Sequence, residues 1–311
     1  MTASPSIQDT SSRRTSFLGK GVEVRRGLLA WAFIVPITLV HLVVVVGPGI
    51  SGLYYALTDW SGIGKAEFIG LGNFVELFTE DLNFRAAFRH NLFWMAFFLT
   101  IPMIMALSAA SLLAQIRRGA MVIRSMFYLP YVLPSIVSAF TWSMLLNPSL
   151  GIGAALDKIG IKGLDHPWLG DFRTALASIA FADNWHWWGF LSILFLTAMQ
   201  AIPVDLYDAA KIDGANRWQQ FRNVTLPGIR PTILFMLLMT AIWSFLSFDY
   251  VWILTQGGPS GASELVSSHL YKQAFLRFEA GYAAAIGLTV SLMAGCIVGG
   301  FTILRRRGWE I

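Results

Sequence analysis

The sequence predicts an all-α, polytopic membrane protein with six transmembrane helices and both termini cytoplasmic. Three observations carry this. Hydrophobic residues make up 55% of the 311 and charged ones only 13%, about half the charge of an ordinary soluble domain. Six mainly apolar stretches reach the roughly 20 residues that cross a bilayer. Lys and Arg gather in the connections and favour one side.

Taken in order, residues 1–27 are rich in Ser, Thr and Arg and read as an unstructured cytoplasmic tail. The apolar run that follows is too long for the core of a signal peptide. It is therefore read as a retained span, about 28–56. Further spans are expected at about 91–114, 122–146, 175–199, 232–255 and 281–304, with 308–311 as the cytoplasmic C-terminus. Several carry proline (Pro36, Pro48, Pro102, Pro130, Pro134), which membrane helices tolerate when neighbours satisfy the freed carbonyls. With the N-terminus inside, Lys and Arg on the inner segments outnumber those outside by fifteen to eight. In the outer segment 58–90, Asn73 to Phe78 reads as a short amphipathic helix. Twelve tryptophans suit a membrane–water interface.

Other classes fall away. A single cysteine, Cys296, excludes an intrachain disulfide and a cysteine-built metal site. The net charge of +5 lies in short blocks between apolar runs, which fits lipid headgroups and topology better than nucleic acid. No His-Glu-x-x-His or Gly-x-Ser-x-Gly is present. No phosphate-binding Gly-x-x-x-x-Gly-Lys-Ser/Thr occurs either, so any ATP chemistry must come from another polypeptide.

The loop at 202–230 is the most informative segment. It reads as helix, turn, helix. Pro203 suits a helix start and Asp205 favours that helix's N-terminus. Gly214 permits a turn with positive φ. Asn216 can cap a second helix that carries Trp218, Phe221 and Val224 on one side, and Pro227 is expected to end it. Such a corner is a docking element for a soluble partner.

The spacing of this loop resembles that of binding-protein-dependent ABC permeases, the MetI-like family. Their Glu-Ala-Ala, three residues, Gly, nine residues, Ile-x-Leu-Pro reads here as Asp208-Ala209-Ala210, Gly214, Val224 and Leu226-Pro227. Asp replaces Glu and Val replaces Ile, with every interval intact. The resemblance implies an MetI-like permease domain over 28–307 in a bacterial inner membrane. It implies that Asp208, Ala209, Ala210, Gly214, Leu226 and Pro227 dock an ATPase as a coupling helix. It also implies a second homologous permease subunit, two ATP-binding subunits that use ATP and Mg, and an extracytoplasmic solute-binding protein. No cofactor is expected on this chain.

Two further stretches, Leu254-Thr-Gln-Gly-Gly-Pro259 and Leu129-Pro-Tyr-Val-Leu-Pro-Ser135, resemble the carbohydrate-uptake branch, in particular its maltose and glycerol-phosphate permeases. The sugar contacts of the maltose permeases then imply Tyr131 and Ser135, positions near Asp183, His186 and Trp187, and a third set at Trp243, Ser244 and Ser247. Physical reading supports these independently. Asp183 lies about 12 Å into its span, where an ionisable group defaults to a functional role. Sugars present apolar faces ringed by hydroxyls, which suit aromatic rings beside polar groups. The competing function is a proton-coupled carrier relaying through Asp183, His186 and Asp249. Asp249 also reads as a helix–helix hydrogen-bond partner, and the serines as groups bonded to their own helix.

Overall fold

The structure, a computed structural model, describes residues 31–116, 118–163 and 165–306. The expected tail 1–27, the start of the first span and the C-terminal 308–311 lie outside the described residues. Helix α1 (Trp31–Tyr55) is apolar on every face, as a bilayer-spanning helix is. One π turn, Leu42–Val46, interrupts it just before Pro48. Proline has no N–H to give to the preceding turn, so the ladder readjusts there.

From Tyr55 onward the chain forms a second unit. A two-residue antiparallel pair, β1 (Thr58–Asp59) with β2 (Glu67–Phe68), opens it. The expected amphipathic helix follows as α2 (Gly72–Thr79), with Asn73 and Leu77 buried. The Asn73 amide donates to the carbonyls of Ala56 and Thr58, both at 2.9 Å. This ties the helix to the hairpin.

Helix α3 (Leu82–Leu113) is the spine of this unit. It begins well before the expected 91, because Asp81 caps it: its carboxylate accepts from the N–H groups of Asn83 and Phe84 at 2.8 and 2.9 Å. At 32 residues it is about 48 Å long. Three apolar clusters stack along it. Phe84 and Ala87 join Phe245, Tyr282 and Ile286 at its start. Trp94 and Phe98 join Ile179, Tyr250 and Val251 at mid-length. Met103, Ala106, Ala110 and Leu113 join Leu191, Phe195 and Ile229 at its end.

The next expected span, 122–146, is not one straight helix. It is α4 (Ala120–Val132) and α5 (Ser135–Leu145), bent by 94°. Pro134 forces its predecessor out of the helical region, and Leu133 is extended at φ −70°, ψ 140°. A short α6 (Ile152–Asp157) leads to α7 (Ala175–Gln200). After a 74° bend at Pro203 comes α8 (Val204–Ile212). The four-residue α9 (Arg217–Gln220) continues through a π turn and a turn at Leu226–Gly228. Pro227 therefore sits within this path and does not end it, as its missing N–H is no loss in a first turn. The fifth expected span is α10 (Arg230–Leu246) and α11 (Asp249–Leu254), parted at Ser247. Then come α12 (Val266–Tyr271) and α13 (Ala280–Arg306). Among the described residues, four helices are long and apolar enough to cross a membrane, or six if each bent pair counts as one.

Asp81 does more than cap α3. Its second oxygen accepts from the Tyr282 hydroxyl at 2.7 Å and faces His269 Nε2 at 2.9 Å. His269 Nδ1 faces Glu264 at 3.2 Å, and Lys272 donates to the same carboxylate at 3.1 Å. Burial would raise both carboxyls. For Asp81 the Phe84 N–H, Tyr282 and His269 outweigh it; for Glu264 His269 and Lys272 do. Both are held below the ordinary carboxylate range. A carboxyl lowered in the folded state contributes stability that is present above its unfolded value and lost as pH falls through the folded one. Glu76, raised by burial and then by Glu279, works in the opposite sense. Asp81→Asn should thus destabilise the chain by about 1–3 kcal/mol at pH 7. It should also flatten the fall in Tm from about pH 5 downward. Thermal unfolding of the purified protein across pH 4–8 tests this. An unaltered slope would place the acid sensitivity elsewhere.

Candidate functional site

A cavity of about 250 Å³ opens where α3, α7 and α10 meet. Trp94 and Phe98 of α3 supply one wall, Asp183 and Trp187 of α7 a second, and Thr240, Trp243, Ser244, Leu246 and Ser247 the third. The Trp187 and Trp243 rings meet edge to face, centroids 4.8 Å apart at 78°. Five of the eight residues expected on the substrate path line this cavity: Asp183, Trp187, Trp243, Ser244 and Ser247.

The other three lie beside it. Tyr131 stacks on Phe190 at 4.3 Å and 11°, with His186 and Trp187 at 5.4 and 6.1 Å. Ser135 donates its hydroxyl to Asp249. That bond joins the break between α4 and α5 to the break between α10 and α11, so Asp249 is a helix–helix partner. The Ser244 hydroxyl donates to the carbonyl of Thr240 at 2.7 Å, the bond to its own helix that serines in spans often make. No hydrogen bond joins Asp183, His186 and Asp249 among the described residues.

Trp94, Phe98 and Thr240 line the cavity without having stood out in the sequence. Asn91, one turn before Trp94 on α3, is fully buried. Its amide donates to the Ser244 carbonyl and its oxygen accepts from the Val266 N–H, both at 2.7 Å. A polar side chain inside an apolar run was the available signal.

The second expected site is the corner formed by α8 and α9. Gly214 turns it at φ +78°, where any other residue is strained. Asn216 and Gln219 form a reciprocal capping box, with bonds of 2.9 and 2.7 Å. Tyr207 reaches Thr225 at 3.0 Å, and Phe221 and Val224 pack into the apolar cluster beneath. Arg217 donates to Gln115, just past the end of α3, at 3.0 Å. The corner is thus fixed to the bundle end opposite Asp81. Asp208, Ala209, Gly214 and Pro227 are exposed on it, while Ala210 and Leu226 are half-buried. The carboxylate of Asp208 holds Lys211 at 2.8 Å in solvent.

Apolar helices enclosing a cavity of aromatic walls with a few polar groups, and an exposed helical corner at one end, define a multi-pass membrane transport component. Residues 103–307 match the binding-protein-dependent transport system inner membrane component, and the chain belongs to that family. It is 34% identical over 270 residues to the probable ABC transporter permease protein YurN of Bacillus subtilis, covering 86% of this chain and 92% of that one. It is 31% identical over 294 residues to the trehalose/maltose transport system permease protein MalF of Thermococcus litoralis, covering 91% and 94%. A bacterial ABC transporter involved in the import of the acidic polysaccharide alginate has the same fold, with a TM-score of 0.83 and 25% identity, over 93% of this chain and 98% of that one. The chain is accordingly an inner-membrane permease subunit of an ABC importer, and ATP hydrolysis belongs to its partners.

Proposed function

We propose that the chain forms half of the translocation pathway for a sugar or sugar derivative delivered by an extracytoplasmic binding protein. The observation that carries this is the cavity, where three indole rings stand beside a carboxyl and an unpartnered hydroxyl at mid-bundle. Aromatic faces cover the apolar faces of a sugar, and the polar groups orient its hydroxyls. Relatives named for trehalose/maltose and diacetylchitobiose support the substrate class. The bent pair α4–α5 and helix α7 then each count as one span, giving six with both termini cytoplasmic. A second homologous permease completes the pathway, and two ATPases bind, one at each coupling corner. Closure of the ATPases moves the corner, and alternating access follows.

Uptake by membrane vesicles carrying the whole transporter tests this reading. It should require ATP and withstand a protonophore. Trp187→Ala or Trp243→Ala should lower it about tenfold or more, since truncating an aromatic anchor that a bound ligand covers costs about 2 kcal/mol or more. The complex should still co-purify. Wild-type uptake by either variant would remove the cavity from the pathway.

A further inference from the structure

The cavity contains a carboxyl with no counterpart among the described residues. Asp183 receives no hydrogen bond within the chain, and no Lys or Arg lines the cavity among the described residues. Asp249, already holding the Ser135 hydroxyl, adds a second carboxylate close by. Two donors are also unused. Thr240 is 3% exposed and its hydroxyl has no partner; the buried Trp187 Nε1 has none either. Buried polar groups in native proteins are nearly always satisfied. The three residues line one cavity, so a ligand's hydroxyls, reached by small side-chain rotations, are what they fit.

We infer that Asp183 acts as a charge filter on the pathway, admitting an uncharged sugar and excluding a uronate. This rests on the sugar-pathway reading above. An ionised carboxylate only accepts hydrogen bonds. Sugar hydroxyls donate to it, while the same hydroxyls accept from the Trp187 N–H and share the Thr240 O–H. A uronate would bring a second negative charge against Asp183 in a cleft whose apolar walls strengthen the repulsion. The alginate importer shows that this fold accompanies anionic cargo elsewhere. The preference therefore lies in the residues lining the cavity and not in the fold.

The test uses the assembled transporter in proteoliposomes, with Cys296→Ala removing the native thiol and Ser247→Cys placing one at the cavity. Two methanethiosulfonates of similar size, one cationic (trimethylammonium-ethyl) and one anionic (sulfonatoethyl), are compared at pH 8. Each rate is normalised to that reagent's rate with 2-mercaptoethanol. The cationic reagent should react at least about tenfold faster, the range by which a charged cleft concentrates counter-ions. Asp183→Asn should reduce that preference to near parity. Equal rates, or a faster anionic reagent, would show that another group neutralises Asp183 and would overturn the filter while leaving the pathway reading intact. If neither reagent reacts at 247, nor at a second position made by Trp243→Cys, water does not enter the cavity. The pathway reading then fails, and the filter with it.

Discussion

Gly189→Val should remove the protein from the membrane. A side-chain carbon at 189 would lie 1.8 Å from the carbonyl oxygen of Phe127 and 2.8 Å from its carbon. Both belong to helix backbone, so no flexible group can give way. Helices α4 and α7 would have to separate. That would undo the Phe127–Trp188 contact at 4.9 Å and the Tyr131–Phe190 stack. Overpacking of a tight contact costs about 1–3 kcal/mol and sometimes more, and 1–2 kcal/mol already changes cellular abundance several-fold. Fluorescence-detected size-exclusion of a tagged chain measures the result. Gly299→Ala, with nothing within 4 Å of the added carbon, should stay at the wild-type level. Equal levels for both would mean that α4 and α7 do not meet at Gly189.

The long apolar helices were legible because apolar length is a direct readout of the bilayer. Their ends and breaks were less so. The second apolar stretch was read to begin at about 91, yet Asp81 starts the helix at Leu82 with a cap that no apolar count registers. Pro134 announces a break locally, but treating intramembrane prolines as tolerated hid it. The parting at Ser247 has no proline. Bonds from afar stabilise it: Ser267 donates to the Ser247 carbonyl, and Ser135 donates to Asp249.

The site divided the same way. Asp183 and Trp187 were conspicuous as polar and aromatic residues within an apolar stretch. Thr240, Trp94 and Phe98 are ordinary members of their spans, and only packing turns them toward the cavity. The cluster of Asp81, Glu264, His269 and Tyr282 was illegible, since its members are far apart in the chain. The local geometry of the corner at 202–230 was legible almost residue by residue, because capping and a positive-φ glycine are local physics.

Charging Ile212 and Trp218 together should abolish ATP-dependent uptake, whereas Asp208→Asn should cost only a few-fold. Val204, Asp208 and Ile212 are spaced by four and share one face of α8. Ile212 is 87% exposed, Val204 68% and Trp218 66%, an apolar surface on the end of the molecule that we assign to the cytoplasm. Burying such side chains in a groove contributes about 1.5–3 kcal/mol each, so placing Asp at both positions removes that gain and adds two desolvated charges. Asp208 is different. Its carboxylate already holds Lys211 in solvent, and an exposed pair of that kind is worth about 0–1 kcal/mol. Co-purification of the ATPase with the permease, read beside uptake, separates the two contributions. If Ile212→Asp with Trp218→Asp retains the ATPase while Asp208→Asn releases it, the corner docks through its charge. If the order is as expected here, docking rests on the apolar face, which explains why a shortened acidic side chain at 208 is compatible with a working coupling helix.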